Sequence, residues 1–381
     1  MNHKIMIVAG EASGDLHGSG LVRELRQLQP NVRIFGVGGD RMRQHGTELL
    51  YHINEMSVLG FWDVLKRFTF FRKVYQHLVA TMDAERPQLL ILIDYPGLNL
   101  KLAQAAKVRG IKVFYYIAPQ VWAWGSDRIK KMVSLVDKMA VILPFEEPLF
   151  QDAGLDATFV GHPLLETVAA KLDRETFFQH HHLDKSKKLI GLLPGSRILE
   201  VKRLLPEMLH SVALLRREQP SIQAVVSKAS SVPLNIYRQI LPSHAPFQLI
   251  ENSTYDIMKH SDLLVVASGT ATLESALFHT PLIIVYKVDP ISYLIGKQLI
   301  KIDSIGLVNV IAGHQIAPEF IQGKFHRRNL LPEMKRLLFD QAYRDQMVQN
   351  LRILREKLGT AGASARSAQI AIDLLNYDKR S

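Results

Sequence analysis

The sequence predicts an α/β protein built of two Rossmann-like, doubly wound parallel-sheet lobes facing a cleft. Three observations carry this expectation. Apolar runs of strand length alternate with helical patterns along most of the chain, as parallel sheets covered by helices require. The alternation stops at a polar stretch near the middle and then restarts. Finally, 381 residues are too many for one core at roughly 100–200 residues per domain.

KIMIVA (4–9), a Gly-rich turn and DLHGSGLVRELRQL (15–28) form the first strand–helix unit. VRIFGV (32–37) follows, then QLLILI (88–93) running into LNLKLAQAAKVRG (98–110), then KVFYYI (112–117), KMAVIL (138–143) and ATFV (157–160). The polar stretch LDRETFFQHHHLDKSKK separates these from LIGLL, IQAVVS (222–227), FQLIE (247–251), DLLVVAS (262–268) and PLIIVYKV (281–288). Pro206 suits the first residue of a main helix, with a short turn at 198–204 before it. The expected divisions are 1–165, 166–345 and C-terminal helices over 346–381 that pack back on the first lobe.

Composition excludes several classes. The chain has no cysteine, so it makes no disulfide, thiolate zinc site or cysteine nucleophile, and a reducing compartment fits. MNHKIMIVAG lacks the pattern of a signal peptide, which points to the cytoplasm. LLILI (89–93) and PLIIVY (281–286) are far shorter than the ~20 residues of a spanning helix. The formal charge of +11 favours anionic partners. Nucleic acid is not expected, because no recognised module is present and the basic residues are scattered over several helices.

In open α/β sheets, ligands bind at the carboxyl ends of strands, so the loops there are the candidates. GEASGDLHG (10–18) offers Glu11, Ser13, Asp15 and His17 at a helix start. It lacks the dinucleotide fingerprint, and Glu11 would repel a phosphate and suits sugar hydroxyls; a turn that only packs strand on helix is the other reading. In LILIDYPGLN (90–99), Asp94 ends an apolar strand, where desolvation raises a carboxyl pKa towards that of a general base. A turn aspartate before Pro96 is the alternative, and His17 is a second candidate base. LLPGSRILEVKRLLPEML (192–209) sets Gly195, Ser196 and Arg197 at a helix start, which suits a diphosphate, against a plain turn with a surface arginine. VVASGTATLESAL (265–277) adds Ser268, Gly269 and Thr270 for a phosphate and Glu274 for ribose hydroxyls.

Two aromatic segments complete the candidates. YYIAPQVWAWGSDRIKK (115–131) carries Tyr115, Tyr116, Trp122 and Trp124, which suit sugar faces or a buried core. The segment 56–79 sets Phe61, Trp62, Leu65, Phe68, Phe70 and Phe71 among Lys66, Arg67, Arg72 and Lys73. Such a basic, aromatic, amphipathic stretch reads as lying on a membrane surface, or as a core helix with a basic outer face. His180, His181 and His182 are adjacent and cannot all face one ion; they read as a solvated turn, and no metal spacing is evident.

GEASGDLHG, IDYPGLNLKLA, PQVWAWG, LPFE, VGHPLLE, LLPGSR and ASGTATLE, in this order, resemble the lipid-A-disaccharide synthase family over residues 5 to 315. The resemblance implies a metal-independent, inverting GT-B glycosyltransferase without a cofactor, peripheral on the inner face of the inner membrane. It implies UDP-2,3-diacylglucosamine as donor and 2,3-diacylglucosamine 1-phosphate as acceptor. By the same resemblance Asp94 is the base, Arg197 holds the diphosphate, Glu274 holds the ribose and Glu11 lies on the acceptor side. Asn309 matches a functional asparagine, although Leu307-Val308-Asn309 stands where the family usually has Leu-Pro-Asn. A homodimer with exchanged C-terminal lobes is a further implication. The rival readings are another UDP-sugar enzyme of this fold, with a polyprenyl or soluble acceptor, or a UDP-sugar epimerase.

Overall fold

The computed structural model describes residues 3–56, 68–124, 127–241, 247–289, 293 and 304–376. The chain divides into two compact units, one of residues 1–166 with 358–381 and one of residues 167–357.

The first unit is built on β1 (Lys4–Ala9), β2 (Arg33–Gly38), β3 (Glu48–His52), β4 (Leu89–Ile93), β5 (Lys112–Tyr116), β6 (Lys138–Val141) and β7 (Ala157–Phe159). Its sheet runs in the order β3-β2-β1-β4-β5-β6-β7 with every pairing parallel. Helices cover both faces of such a sheet, so its central strands are apolar throughout, and β4, LLILI, is buried at every position. The strand order reverses between β1 and β4. That reversal is the topological switch point, where loops diverge and leave a crevice. Ala9 pairs with Ile93 and Ile93 with Tyr116, so Gly10, Asp94 and Ile117 leave the sheet side by side.

The second unit contains β8 (Lys188–Leu193), β9 (Ile222–Lys228), β10 (Phe247–Glu251), β11 (Leu263–Ala267), β12 (Leu282–Tyr286) and β13 (Glu319–Ile321), in the parallel order β10-β9-β8-β11-β12-β13. Here the switch point falls between β8 and β11. Val266 pairs with Leu193, which brings the loops holding Gly195 and Ser268 to one edge.

The structure differs from the sequence reading in four places. Residues 198–204 are not a separate turn: one helix, Ile198–Glu218, runs through Pro206. An interior proline costs a helix about 3 kcal/mol, and this helix offsets it by burying Val201, Leu204, Leu205, Met208, Val212 and Leu215. Two strands, β3 and β13, were not expected; both are sheet edges. The helix Gln341–Lys357 stays with the second unit, and the return to the first unit begins at Leu358 rather than at 346. The returning segment is pinned by Arg366, which donates to the carbonyls of Val160 (2.8 Å), Ala361 (3.0 Å) and Thr360 (2.6 Å). Glu166 accepts from the N–H groups of Gly362 (3.1 Å) and Ser364 (3.0 Å) at the start of the helix Ala363–Asn376. Among the described residues no helix is long and apolar enough to cross a membrane.

Candidate active site

In the first unit, Asp94 stands at the switch point in a backbone held by three elements. Asp94 and Tyr95 have φ of 43° and 48°, and the neighbouring Ile117 has φ of 65°. Left-handed backbone costs non-glycine residues roughly 1–2 kcal/mol each, so the surroundings must fix it. They do: the Asp94 carbonyl accepts from the Tyr115 hydroxyl (2.5 Å) and Asn99 Nδ2 (2.7 Å), while the Asp94 N–H donates to the Ile117 carbonyl (3.2 Å). This anchoring runs through the Asp94 backbone rather than its carboxyl. Burial first, and the Glu11 carboxylate second, push that carboxyl up to about 6, against the Tyr95 N–H that favours its charged form. Strain and a displaced pKa meeting at one switch-point residue make Asp94 the candidate functional position of this unit.

The GEASGDLHG loop divides between packing and exposure. Gly10 makes room for the Tyr95 ring, and Gly14 and Gly18 let the helix Ala12–Leu28 press on Ala9, Ile93 and Met42. Asp15 is a structural anchor: its buried carboxylate accepts from the N–H groups of Gly39 (2.7 Å), Met42 (3.1 Å) and Arg41 (3.2 Å), at the start of the helix Asp40–Gln44. His17 is buried, its edge against His162 at 6.4 Å between centroids. Burial lowers it to about 4, so it is neutral near pH 7 and enclosed, a poor base for an outside substrate. Glu11 and Ser13 are exposed.

In the second unit, Gly195 has φ of 104°, and a side chain there would collide with Glu200. Glu200 was not singled out in the sequence, yet it organises this loop. Its Oε2 accepts from the N–H groups of Ser196 (3.1 Å) and Arg197 (3.2 Å), and Arg197 Nη1 lies 3.2 Å from its Oε1. This is one half of a capping box, the glutamate three residues into the helix reaching back to the backbone, and it occupies two N–H groups that the sequence reading left for phosphate. A carboxylate of the protein itself is thus seated on the N–H groups of this loop. Apart from its pair with Glu200, the Arg197 side chain is open to solvent, 67% exposed.

The second loop of this edge starts the helix Thr270–Leu277 at Gly269, whose φ of 147° disfavours any side chain. Gly269 and Thr270 are exposed, and the first N–H groups of a helix lack intrahelical acceptors. The Ser268 hydroxyl instead donates to the Ile305 carbonyl at 3.1 Å. Glu274 is half-buried and accepts from the Tyr255 hydroxyl at 2.9 Å; burial raises its pKa, and that hydrogen bond opposes the rise. Tyr255, which no motif includes, therefore fixes where this carboxyl points.

Asn309 belongs to the scaffold. It is 1% exposed and satisfied on every side. Nδ2 donates to the Ala317 carbonyl (2.8 Å) and Glu319 (2.7 Å), and Oδ1 accepts from the N–H groups of Ile316 (2.8 Å) and Ala317 (2.9 Å). Glu319 also accepts from the N–H groups of Ile305 and Gly306, both at 3.0 Å, so the pair ties residues 305–317 together. No side-chain capacity is left for a nucleotide, which corrects the binding role expected of Asn309. Asn309→Ala leaves several buried groups unpaired at about 1–3 kcal/mol each. A thermal melt should show a midpoint several degrees lower while the folded protein binds UDP as before; lost UDP binding at an unchanged midpoint would restore the ligand role.

Of the aromatic candidates, Tyr115 and Tyr116 are wholly buried and belong to the core rather than to a sugar site. Trp122 is half-buried, and the side chain of Trp124 lies outside the described ones. Phe61, Trp62 and Leu65 lie outside the described residues, as does the Phe68 side chain. Phe70 and Phe71 are half-buried and pack on the hydrophobic core of the first unit, which takes up part of the surface the sequence assigned to a membrane.

A family profile described as lipid-A-disaccharide synthetase matches residues 5–372. The chain belongs to this family. The lipid-A-disaccharide synthase of Geobacter sulfurreducens is 43% identical to it over 375 residues, 98% of each chain. Two solved structures share the fold at low identity. UDP-GlcNAc 2-epimerase from Neisseria meningitidis, bound to UDP-GlcNAc, matches with a TM-score of 0.63 at 13% identity, over 98% of this chain and all of that one. The calicheamicin glycosyltransferase matches with a TM-score of 0.65 at 13% identity, over 98% of each. This member of the lipid-A-disaccharide synthetase family is thus a glycosyltransferase with the GT-B fold.

Proposed function

We propose that the chain condenses UDP-2,3-diacylglucosamine with 2,3-diacylglucosamine 1-phosphate, giving the β-1,6-linked tetraacyl disaccharide 1-phosphate and UDP. The observation that carries this reading is the pairing of chemistries at the two switch points. The first unit offers a carboxyl raised to about 6, with a second carboxylate near it. The second offers an exposed arginine at one helix start and, after the neighbouring strand, a second helix start at Gly269.

The reaction then runs as one displacement. Asp94 takes the proton of the acceptor 6-hydroxyl as that oxygen bonds to the anomeric carbon. The bond from that carbon to the UDP oxygen breaks on the opposite face, and UDP leaves with the electron pair. One displacement inverts the configuration, turning an α-linked donor into a β-linked product. The charge growing on UDP is met by Arg197 and the helix start after Gly269, and Glu274 holds the ribose. Glu11 and Ser13 face the acceptor.

A diacylated substrate leaves a bilayer at about 0.8 kcal/mol per CH₂, so the enzyme works at the lipid surface. The net charge of +11 and the basic, aromatic stretch around residues 57–73 support a peripheral position on the inner membrane. A cytoplasmic homodimer belongs to the same reading.

The test is UDP release from UDP-2,3-diacylglucosamine in mixed micelles, with and without the acceptor, with the lipid product identified by mass spectrometry. The reading expects acceptor-dependent release and a tetraacyl disaccharide phosphate. UDP binding without such release overturns the assigned acceptor, and conversion of the donor to its C2 epimer overturns the transferase reading.

A further inference from the structure

The PQVWAWG segment is absorbed neither by the base nor by the nucleotide loops, yet its first tryptophan is held in an unusual way. Trp122 lies in the short helix Val121–Trp124, just beyond the carboxyl end of β5. Its Nε1–H donates to Glu146 Oε1 at 3.0 Å. Glu146 opens the helix Glu146–Asp152 beyond β6 and is 1% exposed. Its other oxygen accepts from the Leu143 N–H at 3.2 Å. The Phe145 ring meets the indole edge-on, 5.1 Å between centroids.

A buried carboxyl is an expensive partner for an indole N–H, which a neutral backbone carbonyl would satisfy without that desolvation cost. Burial pushes the Glu146 carboxyl up to about 8, with the charge of Asp94 adding to the rise, so the two acids share one electrostatic neighbourhood. The backbone joins them as well: Asp94 donates to Ile117, five residues before Trp122. The indole N–H is bonded to a buried carboxyl, the Phe145 ring packs on it, and Trp122 stays half-buried beyond the carboxyl end of β5, the strand next to the one that ends at Asp94. A pyranose presents a face of C–H groups that packs well on such a surface.

We propose that Trp122 is the platform on which the acceptor's glucosamine ring stacks, and that Glu146 is a positioning residue that fixes the indole for it. The inference rests on the acceptor-side reading of the first unit given above. Stacking there sets the orientation of the sugar, and with it the placement of its 6-hydroxyl relative to Asp94.

The test uses the full chain in mixed micelles, with donor and acceptor varied in turn. Trp122→Leu should raise the KM for the acceptor tenfold or more and leave the KM for the donor within twofold; Trp122→Phe, which keeps a ring but loses the bond to Glu146, should fall between that variant and the wild type. Glu146→Gln keeps an oxygen for the indole N–H and should behave nearly as the wild type. Glu146→Leu should mimic Trp122→Leu, and the double variant should be no worse than either. Addition of acceptor alone should change the tryptophan fluorescence of the wild type and not that of Trp122→Phe. An acceptor KM unchanged in Trp122→Leu overturns the platform, and Glu146→Gln as damaging as Glu146→Leu overturns the positioning role. A wild type that does not turn over sinks the functional reading instead, which separates the two failures.

Discussion

Asp94→Asn is expected to lower turnover by about 10²–10⁴-fold, the range by which a positioned general base accelerates a reaction, while UDP binds as tightly as to the wild type. The substitution removes the proton acceptor and little else. The loop is held through the Asp94 carbonyl and N–H, by Tyr115, Asn99 and Ile117, and asparagine keeps all three bonds. Asparagine also tolerates left-handed backbone better than most residues. A base acts only in the chemical step, so kcat should fall while the affinity for UDP, measured by calorimetry, stays put. Parallel loss of UDP affinity and turnover would show a structural aspartate.

Arg197→Ala is the second large effect, expected at about 3–4 kcal/mol of transition-state stabilisation, or some 10²–10³-fold in turnover, by analogy with loss of other preorganised donors. Stability should hardly change, because an exposed ion pair such as Arg197–Glu200 contributes about 0–1 kcal/mol. Affinity for the donor should fall too, since the variant leaves the Glu200 carboxylate unneutralised where the diphosphate is to sit. Stopped-flow or steady-state turnover beside a melting curve distinguishes this from unfolding. A variant with near-normal turnover removes Arg197 from the mechanism.

The central strands were legible because a parallel strand buried on both faces reads as an uninterrupted apolar run: LLILI, LIGLL and LIIVY needed no partner to be recognised. β3, ELLYH, and β13, EFI, were not, because edge strands are part-exposed and mix polar with apolar residues. The switch-point loops were legible from small residues and isolated charges at the ends of those runs. What each side chain does there was not. Asp15 looks like a ligand until Gly39 and Met42, far along the chain, arrive at its carboxylate. Asn309 looks like one until Glu319 and Ala317 close around it. Glu146 resembles an ordinary acidic residue at a helix start, and only the tertiary structure buries it beside Trp122; Glu200, by contrast, caps its own helix through Ser196 and Arg197 just before it, a local pattern. Hydrogen-bond partners distant in sequence leave no local signal, and that is where sequence reasoning about this site stopped.

The account turns on Asp94 taking the acceptor's proton, and the pH dependence of kcat/KM for the acceptor tests it most directly. A base must be deprotonated to act, so with its pKa raised to about 6 the wild-type rate should fall as pH drops through about 6. Part of that elevation comes from the Glu11 carboxylate, whose removal makes the charged form of Asp94 easier to hold. Glu11→Gln should therefore shift the acidic limb to lower pH, whatever it does to the acceptor KM, while leaving it above the usual aspartate range because burial persists. An acidic limb that stays in place in Glu11→Gln, or survives in Asp94→Asn, would assign the proton to another group.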